Sequence, residues 1–213
     1  MRFERVELAC GGPAETADFY GDGLGLPVDG ATVRIGETEL AFATAADEPF
    51  YHFALLVPGD RFEAALAWAR GRVELLPDRE TGEIVFDFSS WDALACYFHD
   101  PAGNVVELIA HRGLGDNGTV GAFAAGELIG LSELGLVGDT RALARELEER
   151  LGLRLWDGTL DEPARLAFVG QRARTLILAP PGRSWLPTGR PGEPHPVEVE
   201  LDAGRYSYLT ETR

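Results

Sequence analysis

Four histidines, two cysteines and 35 acidic residues are the groups of this 213-residue chain with chemistry to offer at neutral pH. His52 lies in the strand-like run Tyr51-His52-Phe53-Ala54-Leu55-Leu56-Val57, and Glu107 interrupts the apolar run Val105-Val106-Glu107-Leu108-Ile109. Imidazole and carboxylate together suit Fe(II), Mn(II), Ni(II) or Zn(II). Each also has a plainer reading: His52 as a half-buried strand histidine satisfied by backbone, Glu107 as a solvent-facing strand residue. The flanking valines, leucine and isoleucine make the second harder to accept. Glu7 and Glu39 sit on alternating strands and read as outward-facing in so acidic a chain. His99 and His111 read as surface residues and His195 as a loop histidine, while Cys10 and Cys96 have no basic neighbour in sequence and no reactive role. The chain has no glycine-rich phosphate loop and no nucleophile elbow.

The elements that must position these groups repeat. A strand-like run, a helix and short β-like runs follow one another three times. The first unit opens at Phe3–Ala9, starts its helix at Gly12-Pro13 and continues in Ala31–Ile35 and Thr38–Ala43. The second opens at Tyr51–Val57. Its helix follows Asp60, which with Glu63 has capping-box spacing, and its later runs are Glu83–Phe88, Ala93–His99 and Asn104–Ala110. The third opens at Leu131–Val137. Gly138-Asp139 starts a helix with the stripe Leu143, Leu147 and Leu151, ended by Gly152, before Ala164–Val169 and Ala173–Leu178. A fourth first strand follows at Pro196–Leu201, after the Pro- and Gly-rich stretch Pro180–Pro194.

Nineteen basic residues, all arginine, stand against the acidic ones for a net charge of −16. Such a surface repels phosphate backbones and anionic lipid, so neither nucleic acid nor membrane is an expected partner. Two cysteines fit a reducing compartment, and neither a signal peptide nor a lipidation motif is evident, so a cytoplasmic protein is expected.

The segment Tyr97-Phe98-His99-Asp100-Pro101-Ala102-Gly103-Asn104-Val105-Val106-Glu107-Leu108 resembles the signature hairpin of the vicinal oxygen chelate superfamily, which includes glyoxalase I, extradiol dioxygenases and the fosfomycin- and bleomycin-resistance proteins. A helix ending in Phe19-Tyr20 before Leu24-Gly25-Leu26 is similar to that family as well. The resemblance implies an α+β fold of repeated βαβββ modules whose cup-shaped mixed sheets enclose a cavity. It places one complete two-module domain at residues 1–112, a linker at 113–127, a third module with an extra strand at 128–201 and a tail at 202–213.

In that family the metal ligands stand on the first and last strands of a module. His52 and Glu107 fall on two such positions, and Glu39 on a third; Arg5 occupies the usual first-strand histidine position of module one. The resemblance thus implies a divalent transition metal (Fe, Mn, Ni or Zn) held by His52, Glu107 and Glu39, with Glu7 moving a proton for a small oxygenated substrate. The competing expectation is a metal-free binding protein in which Arg5 supplies the positive charge, beside Glu107 and Glu39, and grips an anionic ligand. Module three places Ser132 where His52 sits and is expected to carry no ligand. Its half-cup needs a partner, either the first domain or a second copy in a homodimer.

Overall fold

Short apolar runs, alternating in β1 and β13 and wholly buried in β5, β8 and β9, are separated by turns and helices into three successive βαβββ modules. The computed structural model describes residues 1–162 and 164–209. Module one comprises β1 (Phe3–Cys10), α1 (Pro13–Asp18) extended by a wider turn to Gly23, β2 (Val28–Asp29), β3 (Thr32–Ile35) and β4 (Thr38–Thr44). Module two comprises β5 (His52–Val57), α2 (Phe62–Arg70), β6 (Phe86–Phe88), β7 (Ala93–His99) and β8 (Val105–His111). Module three comprises β9 (Gly130–Val137), α3 (Thr140–Leu151), β10 (Leu155–Gly158), β11 (Ala167–Gln171) and β12 (Arg174–Ala179). A hairpin of β13 (Val197–Leu201) and β14 (Gly204–Tyr208) follows. The strand β14 falls in the segment expected to be a tail, whose residues 210–213 lie outside the described ones.

In each module the first strand pairs in parallel with the last, β1 with β4, β5 with β8 and β9 with β12. That leaves each first strand one free edge, and a free edge is a row of unpaired N–H and C=O groups. Sister first strands cover one another antiparallel, but not in the sequential order expected. Module two pairs with module three through β5–β9, giving an eight-stranded sheet β10-β11-β12-β9-β5-β8-β7-β6. Module one pairs instead with the C-terminal hairpin through β1–β13, giving a six-stranded sheet β14-β13-β1-β4-β3-β2. Residues 1–112 are therefore divided between two sheets. The local patterns of β1, β5 and β9 are alike, so only the long-range availability of β13 decides which edges meet. The β5–β9 pairing completes a curled sheet within a single chain.

One shared core receives Val6 and Leu8 of β1, Phe53, Leu55 and Val57 of β5, and Leu134 and Leu136 of β9, together with the apolar stripes of the helices. The opposite face of the eight-stranded sheet carries His52 and Ala54 and forms the concave side. Every residue of β5, β8 and β9 is buried, as expected of strands covered on both faces. Helix α3 starts as the sequence indicates: Asp139 accepts from Ala142 N at 2.9 Å, and Gly152 ends the helix in the left-handed region at φ 67°. Helix α2 does not. Its N-cap is Arg61, without a side-chain cap bond, and Asp60 accepts from Asn117 N and Gly118 N of the connection between modules two and three.

Candidate metal centre

The Asp100–Asn104 turn sets the register on which the site depends. Asp100 accepts from Asn104 N at 3.0 Å, from Asn104 Nδ2 at 2.8 Å and from the buried Tyr20 hydroxyl at 2.9 Å. Gly103 turns the chain at φ 77°, in the left-handed region. Asn104 Oδ1 then accepts from Tyr51 N at 2.8 Å, locking the start of β5 against the start of β8. This puts His52 beside Val105 and Ala54 beside Glu107. His52 Nδ1 meets the Val105 carbonyl at 3.0 Å; with that nitrogen as donor, Nε2 carries a lone pair aimed across the cup.

Glu107 Oε2 lies 3.5 Å from His52 Nε2. A third group joins them. Glu133 of β9 stands opposite Ala54 and hence in one row with Glu107, and the ligand atoms of His52, Glu107 and Glu133 all lie within 4.8 Å of one another. All three are buried, at 5%, 2% and 3% exposure.

Glu133 was missed because a β-bulge reverses the facing of β9. Ala54 pairs with Glu133, but Leu55 pairs with Leu131, leaving Ser132 extra. Leu131 and Leu134 therefore both enter the shared core with two residues between them, where strict alternation would put Glu133 on their side. Ser132 gives its hydroxyl to the Ala173 carbonyl at 3.1 Å and does not face His52's partners. Module three, expected to carry no ligand, supplies this carboxylate.

Burial dominates the electrostatics. It lowers His52 to about 4, so the imidazole is neutral at pH 7. It raises Glu107 well above the ordinary carboxylate range, with the Glu133 charge adding to the effect, and raises Glu133 too. Among the described residues no arginine forms an ion pair with Glu107 or Glu133. Tyr97, in register with Glu107, is pushed well above its ordinary value by burial and then by the two glutamates, so its phenol keeps its proton.

Arg5, Glu7 and Glu39 are brought together elsewhere. They share the outer face of the six-stranded sheet, where Arg5 reaches Glu39 and Glu7 at 3.2 Å each, and Glu39 also pairs with Arg34. Each of the three is about one-third exposed. The structure thus brings His52 to Glu107 but places neither Glu39, Glu7 nor Arg5 with them. His111, expected at the surface, is fully buried on the concave side of β8. Neither ring nitrogen is hydrogen-bonded among the described residues, the ring lies parallel to Trp91, and burial with nearby Arg172 lowers it to about 4. His99 is exposed and His195 lies in a loop, as read from sequence.

The concave side is closed by aromatic residues. Trp91, in the turn after β6, packs on Trp156 of β10 and Phe168 of β11 with centroids 5.1 and 4.6 Å apart, and its indole N–H reaches Asp157. The two ends of the eight-stranded sheet meet there. Trp185 lies over the His52 ring with centroids 4.9 Å apart. What remains beside His52, Glu107 and Glu133 is a cavity of ≈ 90 Å³.

No protein-family model and no curated protein matches the sequence. Solved structures do match. A candidate dioxygenase from Bacillus subtilis aligns at TM-score 0.56 and 18% identity, covering 92% of this chain and 67% of that one. A glyoxalase I variant from Zea mays aligns at TM-score 0.50 and 14% identity, covering 97% of this chain and 72% of that one. A glyoxalase/bleomycin resistance protein/dioxygenase from Nocardioides covers 57% of this chain and 90% of its own length, at TM-score 0.41 and 19% identity. At these identities the likeness is one of fold: the chain has the fold of the vicinal oxygen chelate superfamily, as its signature hairpin indicated. No helix among the described residues is long and apolar enough to cross a membrane.

Proposed function

We propose that the chain is a metal-dependent enzyme of the glyoxalase and dioxygenase type, holding one divalent transition ion on His52, Glu107 and Glu133. The observation that carries this reading is the convergence of three buried ligand atoms within 4.8 Å, two of them carboxylate oxygens that no arginine among the described residues pairs with. Burying two carboxylates is costly unless a positive charge or protons compensate them. One imidazole nitrogen and two carboxylates are a donor set suited to Fe(II), Mn(II), Ni(II) or Zn(II).

When bound, such an ion supplies Lewis-acid charge for a small substrate presenting neighbouring oxygens. The chain's own groups have defined tasks. The Val105 carbonyl orients His52, the Ala54 row holds the two carboxylates side by side, and the Tyr97 phenol offers a hydrogen-bond donor next to Glu107. Trp91 and Trp185 narrow the approach to these groups. Glu7 and Glu39, the proton carrier and third ligand expected from sequence, are assigned no part, because they lie on the other sheet. The metal-free alternative built on Arg5 loses its support for the same reason.

Metal analysis of protein purified without chelators tests the reading. One equivalent of transition metal is expected, falling to background in His52→Ala, Glu107→Gln and Glu133→Gln but not in Glu39→Gln. A metal-free wild type that also fails to take up added Co(II), Mn(II) or Zn(II) would refute it.

A further inference from the structure

A cavity of ≈ 90 Å³ is far below the roughly 300–1,000 Å³ that ligand pockets offer. One of its walls is the stretch Arg183–Leu186, which belongs to the connection from β12 to β13 rather than to any module. That connection folds on itself. Gly182 N donates to Gly192 O, Gly192 N to Arg183 O, Trp185 N to Arg190 O and Gly189 N to Trp185 O, so each of these bonds begins and ends within the hairpin. Its polar ties to the body are long: Arg79 Nη1 to the Thr188 carbonyl and Arg190 Nη1 to the Gly103 carbonyl, both 3.4 Å. Arg190 also lies over the ring of the buried Phe50. Gly182 and Gly189 have positive φ, 81° and 69°, and bracket the tip.

One side chain anchors this hairpin in the cup. Trp185 is 5% exposed, while its neighbour Leu186 is 52% exposed although it borders the same cavity. The indole has a fitted seat, because Gly135 of β9 faces it without a side chain. A Cβ at position 135 would come within 2.8 Å of Trp185 Cη2 and 3.2 Å of the His52 carbonyl oxygen.

The structure assigns the hairpin 180–192 as a removable cover over the candidate metal centre, with Trp185 as the residue that selects which ligands reach it. Self-contained hydrogen bonding lets the hairpin leave as a unit without opening either sheet, and such segments lie at the low-stability end of a fold. With Trp185 seated, the space admits only a few atoms. With it withdrawn, the ligand meets Phe88, Phe168 and Ile177, an apolar wall that favours a compact, uncharged body behind the chelating oxygens. This inference rests on the metal reading for its ligand but not for the motion of the cover.

Two measurements on the full chain test it. In hydrogen–deuterium exchange of the wild type, with or without metal, the amides of Trp185, Gly189 and Gly192 should exchange roughly a hundredfold or more faster than those of Leu134 and Leu136. Equal protection would overturn the cover. In Co(II)-loaded protein, azide should perturb the cobalt spectrum at once, while 1,10-phenanthroline should extract cobalt at a rate that levels off as its concentration rises. In Trp185→Ala, extraction should be roughly tenfold or more faster and proportional to chelator, with Trp185→Phe between the two. Extraction equally fast, and proportional to chelator, in wild type and Trp185→Ala would also overturn it. If no cobalt binds, the metal reading falls and the exchange comparison alone decides the cover.

Discussion

Replacing Glu133 by Gln removes one negative charge from a buried pair and keeps the side chain's shape. The oxygens that Glu107 and Glu133 offer a metal lie within 4.8 Å. At an effective dielectric constant of about 20, two unit charges at that distance repel by about 3.5 kcal/mol. In metal-free wild type this penalty applies once the pH is high enough to ionise both carboxyls, and it vanishes where both are protonated. Metal-free Glu133→Gln should therefore be more stable than wild type at alkaline pH, by roughly 3–4 kcal/mol, and nearly equal to it in mild acid. Metal reverses the order. An ion present at a hundred times its dissociation constant stabilises wild type by about 2.7 kcal/mol and should leave the variant almost unaffected. Urea unfolding at both ends of the pH range, with and without Zn(II), gives all the values needed. If metal-free Glu133→Gln is less stable than wild type at alkaline pH, a favourable partner for the Glu133 carboxylate exists and the argument from uncompensated charge fails.

The pH dependence of the metal-free protein follows from the same groups. Glu107 and Glu133 titrate above their ordinary 4.5 in the folded chain, so their contribution is complete below that value and is lost as pH rises through the raised ones. His52, lowered from 6.5 to about 4, contributes fully above 6.5 and loses that contribution as pH falls through about 4. Melting temperatures should peak in mild acid and decline toward alkaline pH, and saturating Zn(II) should abolish the alkaline decline. Arg5→Ala should leave metal content unchanged and shift stability by no more than about 1 kcal/mol, since its pairs with Glu7 and Glu39 are partly exposed; a loss of bound metal would contradict the separation of the two clusters. Asn104→Ala removes the acceptor of Tyr51 N and a donor to buried Asp100, and should cost roughly 2–4 kcal/mol in denaturant unfolding. Gly36→Ala should be similarly harmful, because a Cβ there would meet the Ile129 carbonyl oxygen at 2.3 Å in a residue with φ 51°.

The modules, their turns and the caps of α3 were legible because each is written in local residues: the continuous apolar run of β5, Asp139 and Gly152 around α3, and Asp100 to Asn104 between β7 and β8. His52 and Glu107 were legible through the resemblance that this hairpin carries, which marks positions on the first and last strands of a module, here β5 and β8. The pairing of modules was not, because β1, β5 and β9 offer the same kind of edge and nothing local says that β13 claims β1. Glu133 was hidden by its phase. Read by alternation from Leu131 it belongs to the core, and the bulge that rescues it appears only when β9 is laid against β5. Asp60 misled in the opposite direction, its capping spacing serving a distant loop instead of α2.

The extra residue in β9 makes the lining of the hollow a matter of parity. Were Ser132 excised, the strand would march in step. The leucines would stay inside and the acid in the hollow, now by plain alternation; only if Ser132 were kept and the bulge drawn flat would leucine and glutamate exchange sides and the acid enter the oily interior. That single-codon deletion would thus spare both solvation and chemistry, and a relative one residue shorter here could keep its acid in the hollow without any bulge.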